Sequence, residues 1–559
     1  MPLGPRFSWV LLWALWGLAA LLKKPSRPYT ISMTNKKIAL SILVSCVMLP
    51  VIASAQNARQ AELLEKYGAS SSFLGADAGS LKASPIPEPK VQPVGVPQEF
   101  AGAEPISYVG TAVTIWYALG AQITDNAPWT NTPTFEAISD RVMRASKSKA
   151  FPARKAGQPS LFTDEGFIRE YEQATNGRFS SGNSARFLVN GPASFEAKDA
   201  LIRSAKKSLL ISSWAFYDDT TGYQAAQMLI AKKNEGVDVK VMLDKKMLAG
   251  HGKKVYKLMK DAGIEVLAHK ESRANDIWHV KVMIADDQYA IAGGMNFGDV
   301  YSHKGGTILW RDTDVMYSGP AVLEARKLLV DVWNANARKN GLKSIDARTT
   351  GMPFEGGSAR VATVMQNPPQ DSNILISIIK AMYGATKNIN IENAYFVSLP
   401  VVTQAVLDAR ARGVEVNIVT NSKESIDPEG LVIVEAMYKC LVPLAEAGAN
   451  VYLYNGWRSP GDTLHSKFMT VDGEFADIGS YNLHPRGERY DTEVNVNILD
   501  RGAVAQLDAA FAKDVKNSRR VKSAADLGGK PSFMGNVANN YFYAQLEAAP
   551  AAAEGLSRE

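Results

Sequence analysis

The sequence predicts an α/β protein of two similar lobes, each a mixed sheet flanked by helices, the two related by pseudo-twofold symmetry. Three observations carry this. A signature of His-x-Lys, four further residues and Asp occurs twice, as His279-Val280-Lys281 closing on Asp286 and as His465-Ser466-Lys467 closing on Asp472. The copies lie 186 positions apart (465 minus 279) in a chain of 559 residues with six histidines, so matching frames are not a chance event. Before each copy the same order of helix, strand, helix and strand can be read. After each copy a small-residue turn ends in an asparagine, Gly293-Gly294-Met295-Asn296 and Gly479-Ser480-Tyr481-Asn482.

The first lobe opens with a helix over 194–207, a strand over 208–216, a helix over 223–234 and a strand over 237–243 that ends on Asp244. The second repeats the order with a helix over 372–385, a strand over 388–394, a helix over 400–412 and a strand over 414–420. Apolar periodicity switching between 2 and 3.6 with short glycine breaks signals a sheet covered by helices. Around the first signature the run 278–285 sets Val280, Val282 and Ile284 on one side and His279 with Lys281 on the other, the period of a half-buried strand. His465 and Lys467 share a face by the same parity. Two facing lobes of one kind would bring both signatures to one cleft.

An imidazole beside an ammonium suits a phosphate ester: Lys neutralises the anion while the imidazole attacks phosphorus or shuttles a proton. Asp286 and Asp472 complete the two catalytic signatures but fall on the opposite parity, beside the turns Asp286-Asp287 and Asp472-Gly473. They are expected to position the strand end rather than touch phosphate. Downstream, Arg311-Asp312-Thr313-Asp314-Val315 matches Tyr490-Asp491-Thr492-Glu493-Val494 in four of five chemical types. A carboxylate on a neighbouring strand can accept the second imidazole N–H and fix the tautomer, and this match selects Asp314 and Glu493 for that task. Lys281, Lys467, Asn296, Asn482 and Ser480 are the candidates to hold the phosphate oxygens.

The doubled signature resembles the phospholipase D superfamily, whose defining motif is His-x-Lys-x4-Asp. The stretch 293–301, then Trp310-Arg311-Asp312-Thr313-Asp314-Val315 and Gly319-Pro320-Ala321-Val322, and upstream Glu392-Asn393-Ala394-Tyr395-Phe396-Val397, is similar to bacterial cardiolipin synthases. The likeness covers roughly residues 185–515, and the run after Asn482 departs from the Arg-Ser pattern of that family. The resemblance implies two phospholipase-D-like lobes and phosphatidyl transfer through a phosphohistidine, with His279 as nucleophile and His465 as acid and then base. It also implies a phospholipid substrate such as phosphatidylglycerol at a membrane surface, with no metal or other cofactor and no nucleic-acid partner. The alternatives are phospholipase D hydrolysis releasing phosphatidic acid, or a periplasmic endonuclease. The latter would want aromatic platforms amid a basic groove, which the lobes do not interleave.

Composition narrows the class without choosing the substrate. A hydrophobic content of 46% with 21% charged residues describes a globular protein and excludes disorder on this scale. The net charge of +6 suits an anionic lipid surface or a nucleic acid equally. Two cysteines, Cys46 and Cys440, are compatible with any redox compartment.

The amino terminus has the layout of a secretory signal if the true start is Met33: Lys36-Lys37, an apolar run to Ile52, and Ala53-Ser54-Ala55 before Gln56. That layout points to a periplasmic or envelope-associated location. The alternative is a two-helix membrane hairpin that includes the earlier apolar run 7–22 and holds the protein in the inner membrane. Residues 56–105 read as an extended linker rich in Pro, Ala, Ser and Gly. Residues 106–185 read as an accessory layer, with helices over 134–146 and 164–175 and an apolar stretch over 111–119. The lobes are expected over 186–350 and 351–520, with a tail over 521–559. Among the other histidines, His303 and His484 lie near the signatures, and His251 and His269 read as structural. Trp278 either packs or walls the lipid entrance, and Asp218 with Asp219 suits a helix cap or the mouth of the cleft.

Overall fold

The computed structural model describes residues 133–527, apart from short stretches at 250, 272–275, 306–307, 350–353, 355–356, 369, 428–429, 431–432 and 457–461. The amino-terminal signal or hairpin, the linker, the apolar stretch 111–119 and most of the tail lie outside the described residues. Among the described residues no helix is long and apolar enough to cross a membrane.

The first lobe contributes β1 (Ser180–Val189), β2 (Ser208–Ser213), β3 (Asp238–Asp244), β4 (Glu265–His269), β5 (Ile277–Trp278), β6 (Val282–Ala285), β7 (Tyr289–Gly293) and β8 (Thr313–Ser318). The second contributes β9 (Ala359–Gln366), β10 (Asn388–Asn393), β11 (Glu415–Asn421), β12 (Asn450–Tyr454), β13 (Lys467–Val471), β14 (Phe475–Gly479), β15 (Asp491–Leu499) and β16 (Ser518–Val521). These form one sheet in the order β16-β12-β11-β10-β13-β14-β15-β9-β1-β8-β7-β6-β2-β3-β4, with β5 paired to β15. Read outward from the centre, β1-β8-β7-β6-β2-β3-β4 repeats as β9-β15-β14-β13-β10-β11-β12. The central β1 and β9 run antiparallel, as a twofold axis through the sheet requires. Each lobe is mixed, since β2, β3 and β4 are parallel while β6, β7 and β8 are antiparallel to their neighbours.

The helices follow from their sequences. Asn373–Gly384 is apolar on all sides, and every residue from Ile374 to Gly384 is buried. It lies between the second lobe's sheet and the helices Pro133–Ser146 and Glu165–Thr175, so the accessory layer packs on the second lobe. Asp164, Asp219 and Asp500 cap helices through their carboxylates, which accept backbone N–H groups left free at the first turn. Asp219 is therefore a cap; Asp218 likewise accepts Lys254 N and Val255 N at the start of the helix Lys253–Asp261. The first-lobe boundary expected at residue 186 falls inside β1, and β16 with the turn Ala524–Leu527 extends the second lobe beyond residue 520.

Three apolar cores hold the fold. One lies under the second lobe and its accessory helices, one in the first lobe, and one between the lobes, where Phe187, Trp333, Val361, Val496, Leu507 and Phe511 meet. The central core explains why the strand next to each signature is not half-buried as its periodicity suggests. Val282 to Ala285 and Lys467 to Val471 are buried on both faces, because the other lobe or a helix covers the side that a lone sheet would expose to water.

Candidate active site

The expected continuous strand over 278–285 is broken at the histidine. Residues 277–278 form β5 and pair in parallel with β15 of the other lobe, whereas β6 begins at Val282 and pairs with β2. His279 N donates to Thr492 O (2.9 Å), and in the mirror arrangement His465 N donates to Arg311 O (2.7 Å). The strand changes partner at each histidine, so each imidazole is carried to the opposite lobe. Matching clamps hold the entry: Asp244 Oδ2 accepts Trp278 N (2.8 Å) at the end of β3, and Asn421 Oδ1 accepts Leu464 N (3.0 Å) at the end of β11. Trp278 packs: it is 1% exposed, and its indole N–H donates to Ser212 Oγ (2.8 Å).

The orienting carboxylates are therefore crossed. His279 Nδ1 lies 2.8 Å from both Glu493 oxygens, and His465 Nδ1 lies 2.7 Å from Asp312 Oδ2. Glu493 takes the orienting role that the sequence match gave it, on the other lobe's histidine. Asp314 does not: it receives Lys198 Nζ (2.8 Å) and Ser194 Oγ (2.5 Å) and, among the described residues, no histidine. The reason is register. Gly293 pairs with Asp314 and Gly479 pairs with Asn495, and the two side chains do the same work, accepting Met295 N (3.3 Å) and Tyr481 N (3.2 Å). Asp314 thus corresponds to Asn495, and Asp312 to Glu493. The four-of-five match is offset by two residues, which preserves parity and so looks correct from sequence.

A signal for the true alignment exists, since Asp312-Thr313-Asp314-Val315 also matches Glu493-Val494-Asn495-Val496 as acid, any residue, Asp or Asn, Val.

Each imidazole–carboxylate pair shares one proton at Nδ1, which leaves Nε2 available for chemistry. His279, His465, Lys281 and Lys467 are 8%, 5%, 3% and 2% exposed. Burial, with Lys281 and Lys467 adding to it, holds the His279 imidazolium well below its usual range, and burial with Lys467 brings His465 to about 4 against the pull of Asp312. Both rings are therefore neutral at rest. Burial also lowers Lys281 to about 7 and Lys467 to about 8, their carboxylate neighbours opposing it. Burial pushes Asp312 up, but His465 and Lys467 outweigh it and keep the group ionised; burial pushes Glu493 up, with Lys281 opposing. The cleft is thus short of negative charge, and a phosphodiester anion would supply it. Lys281 Nζ rests on His279 O (2.8 Å), and Lys467 Nζ contacts His465 Nδ1 (2.9 Å) and His465 O.

Asp286 and Asp472 lie at the far ends of the strands. Asp286 accepts Lys206 N (2.8 Å), Lys207 N (2.7 Å) and Ser208 N (2.9 Å), while Asp472 accepts Thr386 N (2.7 Å), Lys387 N (2.7 Å) and Asn388 N (3.0 Å). Both take left-handed backbone conformations (φ 52° and 57°), as tight hairpin turns require. They fix where β2 and β10 begin.

Ser480, expected among the phosphate holders, is committed to the fold instead: its hydroxyl is tied to Val494 N (3.0 Å) and Val494 O (3.2 Å). Asn296 and Asn482 lie in the buried turns after β7 and β14.

Sequence reasoning missed the aromatic enclosure. Trp310 stacks on His465 (centroids 5.0 Å apart, 25° between planes), with Tyr301 (5.2 Å) and Tyr395 (6.2 Å) edge-on to it. Trp214 stands edge-on to His279 (5.8 Å). His484 caps the helix Pro485–Arg489 by accepting Gly487 N (2.9 Å), and His303 faces Trp310 O (2.8 Å). His269 pairs with Glu271 (3.3 Å), as its structural reading anticipates, whereas His251 lies beside Trp214 (6.1 Å). Arg311, 2% exposed, braces the Asp312 strand by holding Asp312 O (2.8 Å), Thr313 Oγ1 (2.6 Å) and Asp514 Oδ2 (Nη2 at 2.8 Å).

Comparison with known proteins matches this construction. A family profile described as "Cardiolipin synthase, PLD-like domain" matches residues 199–304 and 378–515, one segment in each lobe. Cardiolipin synthase 2 of Staphylococcus epidermidis is 28% identical over 358 residues, covering 62% of this chain and 70% of that protein. Cardiolipin synthase A of Pseudomonas putida is 27% identical over 349 residues, covering 61% and 70%. The crystal structure of phosphatidylserine synthase from Haemophilus influenzae superposes with a TM-score of 0.52 at 16% identity, over 65% of this chain and 93% of that one, a likeness of fold. The doubled signature, the profile matched in each lobe and the cardiolipin synthase relatives assign the chain to the phospholipase D superfamily, as a phosphatidyltransferase similar to cardiolipin synthases.

Proposed function

We propose that this site moves a phosphatidyl group from phosphatidylglycerol to the hydroxyl of a second phosphatidylglycerol, through a phosphohistidine at His279. The observation that carries the reading is the crossed pair: two buried neutral imidazoles, each held at Nδ1 by the other lobe's carboxylate, with a buried lysine beside each. In the first step His465 takes up a second proton, at Nε2, as the anionic substrate binds; His279 Nε2 then bonds to phosphorus, the bond from phosphorus to the glycerol oxygen breaks, and His465 Nε2–H protonates that oxygen. In the second, the acceptor hydroxyl gives its proton to His465 while its oxygen displaces His279. Two phosphatidylglycerols become one diphosphatidyl lipid and one glycerol.

The phosphodiester's charge offsets Lys281 and Lys467, whose repulsion disfavours the His465 imidazolium, so substrate binding raises the acid's pKa toward the working range. Asp312 and Glu493 stabilise whichever ring carries charge. The signal-like segment from Met33 and the lipid substrate together support an envelope location at a membrane surface.

Purified protein incubated with phosphatidylglycerol is expected to yield diphosphatidyl product, and the His465→Ala variant to accumulate acid-labile phosphate on His279. Absence of any diphosphatidyl lipid removes the transfer reading. Phosphatidic acid in its place identifies hydrolysis, and label on His465 in the converse variant reverses the two roles.

A further inference from the structure

The asparagines after the two signatures are not in equivalent states. Asn296 accepts Ser213 Oγ (3.2 Å) and Ala215 N (3.4 Å) at its amide oxygen, and its Nδ2 donates to the Tyr301 hydroxyl (3.0 Å). Asn482 is 4% exposed, yet among the described residues its Oδ1 has no hydrogen-bond partner. The second-lobe counterpart of Ser213 is Asn393, whose amide is used on Tyr481 O (3.2 Å) and Leu483 N (3.1 Å) rather than on Asn482. One asparagine is locked into its own lobe; the other keeps an open acceptor, and only its Nδ2 can donate to a phosphoryl oxygen.

Tyr301 is the group on which the Asn296 amide is spent. It lies five positions after Asn296, where the second lobe has Gly487 five after Asn482. The side chain is 1% exposed, with its ring edge-on to His465 (5.2 Å, 80°) and to Trp310 (4.8 Å, 76°). Its hydroxyl oxygen is occupied by Asn296, and among the described residues no group accepts the hydroxyl's own proton. Burial pushes the phenol well above its usual range, so it stays a donor at any working pH. A buried donor without an acceptor, spanning from the first lobe's turn to the second lobe's imidazole, is placed for an oxygen that arrives with the substrate.

We propose that Tyr301 supplies the first lobe's hydrogen bond to a non-bridging phosphoryl oxygen, with Asn296 acting through it, while the second lobe donates from Asn482 Nδ2 directly. This rests on the phosphatidyl-transfer reading above. Asn296 is then a positioning residue, and Tyr301 and Asn482 are the contacts to the phosphoryl group.

The test is Tyr301→Phe in the full chain, which removes the hydroxyl and keeps the ring against His465. Orthovanadate is titrated through Trp214 and Trp310 fluorescence, and transfer is measured with phosphatidylglycerol. Losing one preorganised donor predicts a kcat lower by about 100-fold with KM within about threefold of wild type. Vanadate binding should weaken about tenfold, with Tm within about 2 °C. In the Tyr301→Phe background Asn296→Ala, followed beside Tm, should cost no more than about threefold further in kcat, whereas Asn482→Ala should multiply the loss. Equal vanadate binding and kcat in Tyr301→Phe and wild type overturn the proposal, as does a full independent loss of kcat from Asn296→Ala with Tm unchanged. Wild type that binds vanadate but leaves phosphatidylglycerol unchanged sinks the lipid reading instead, and the vanadate titration still decides Tyr301.

Discussion

Replacing Asp312 by Asn separates the acid that the structure assigns to His465 from Asp314, the acid that the sequence match selects. The Asp312 carboxylate is fully buried, accepts His465 Nδ1 at 2.7 Å, and is anchored by Thr313 N at 2.7 Å, so an amide of the same shape can occupy the place. Two terms are lost. A charge-assisted hydrogen bond becomes a neutral one, worth about 1–1.5 kcal/mol. The anion facing the imidazolium that forms during proton transfer disappears, and a unit pair at about 4 Å with an effective dielectric constant of about 20 is worth roughly 4 kcal/mol. Solvent and neighbouring lysines recover part of this, leaving about 3–5 kcal/mol, or a kcat lower by roughly 10²- to 10⁴-fold.

Asp314→Asn should behave differently. It leaves Lys198 buried without its counter-ion, which costs about 3–5 kcal/mol of stability. Single-turnover transfer of labelled phosphatidyl groups, run beside thermal melts, distinguishes the two. Asp312→Asn within about threefold of wild-type turnover, or Asp314→Asn with unchanged Tm and a collapsed kcat, would refute the crossed assignment.

Three further outcomes are expected. Because each histidine is completed by the other half of the same chain, a mixture of His279→Ala and His465→Ala should show no more activity than either alone; recovery would mean that the site forms between chains. Lys281 and Lys467 lose their protons near pH 7 and 8, so kcat/KM for an anionic lipid should fall as pH rises through that window, and Lys281→Arg should move the falling limb upward; a profile flat to pH 9.5 counts against this. Burial raises Asp477 to about 7, so its protonated form is the stable one in the fold. Its unfolded value is about 3.9, so its contribution is complete below that pH and fades as pH rises through about 7, by at most about 1.4 kcal/mol per unit. Asp477→Asn lacks this slope, and the Tm difference between variant and wild type should be more favourable to the variant at pH 8 than at pH 5; no change with pH would contradict it.

The doubled signature, the helix and strand order, the asparagine turns and the parity that sets Asp286 and Asp472 apart from the histidines are all properties of residue type and local period, and they are legible in the chain. Glu493 is legible too, as the acid of a Thr-acid-Val run, although the match that points to it pairs it with Asp314 rather than with its structural counterpart Asp312. What the sequence could not determine is which residue of one lobe touches which of the other. The exchange of strand partners at His279 and His465, the two-residue offset that makes Asp312 rather than Asp314 the partner of His465, and the commitment of Ser480 to Val494 are matters of register between distant strands. A shift of two keeps every side chain on its face, and hydrophobic patterning is indifferent to it. The aromatic wall of Tyr301, Trp310 and Tyr395 around His465 likewise exists only once the lobes close on each other, because its members come from separate segments that the shared core brings together.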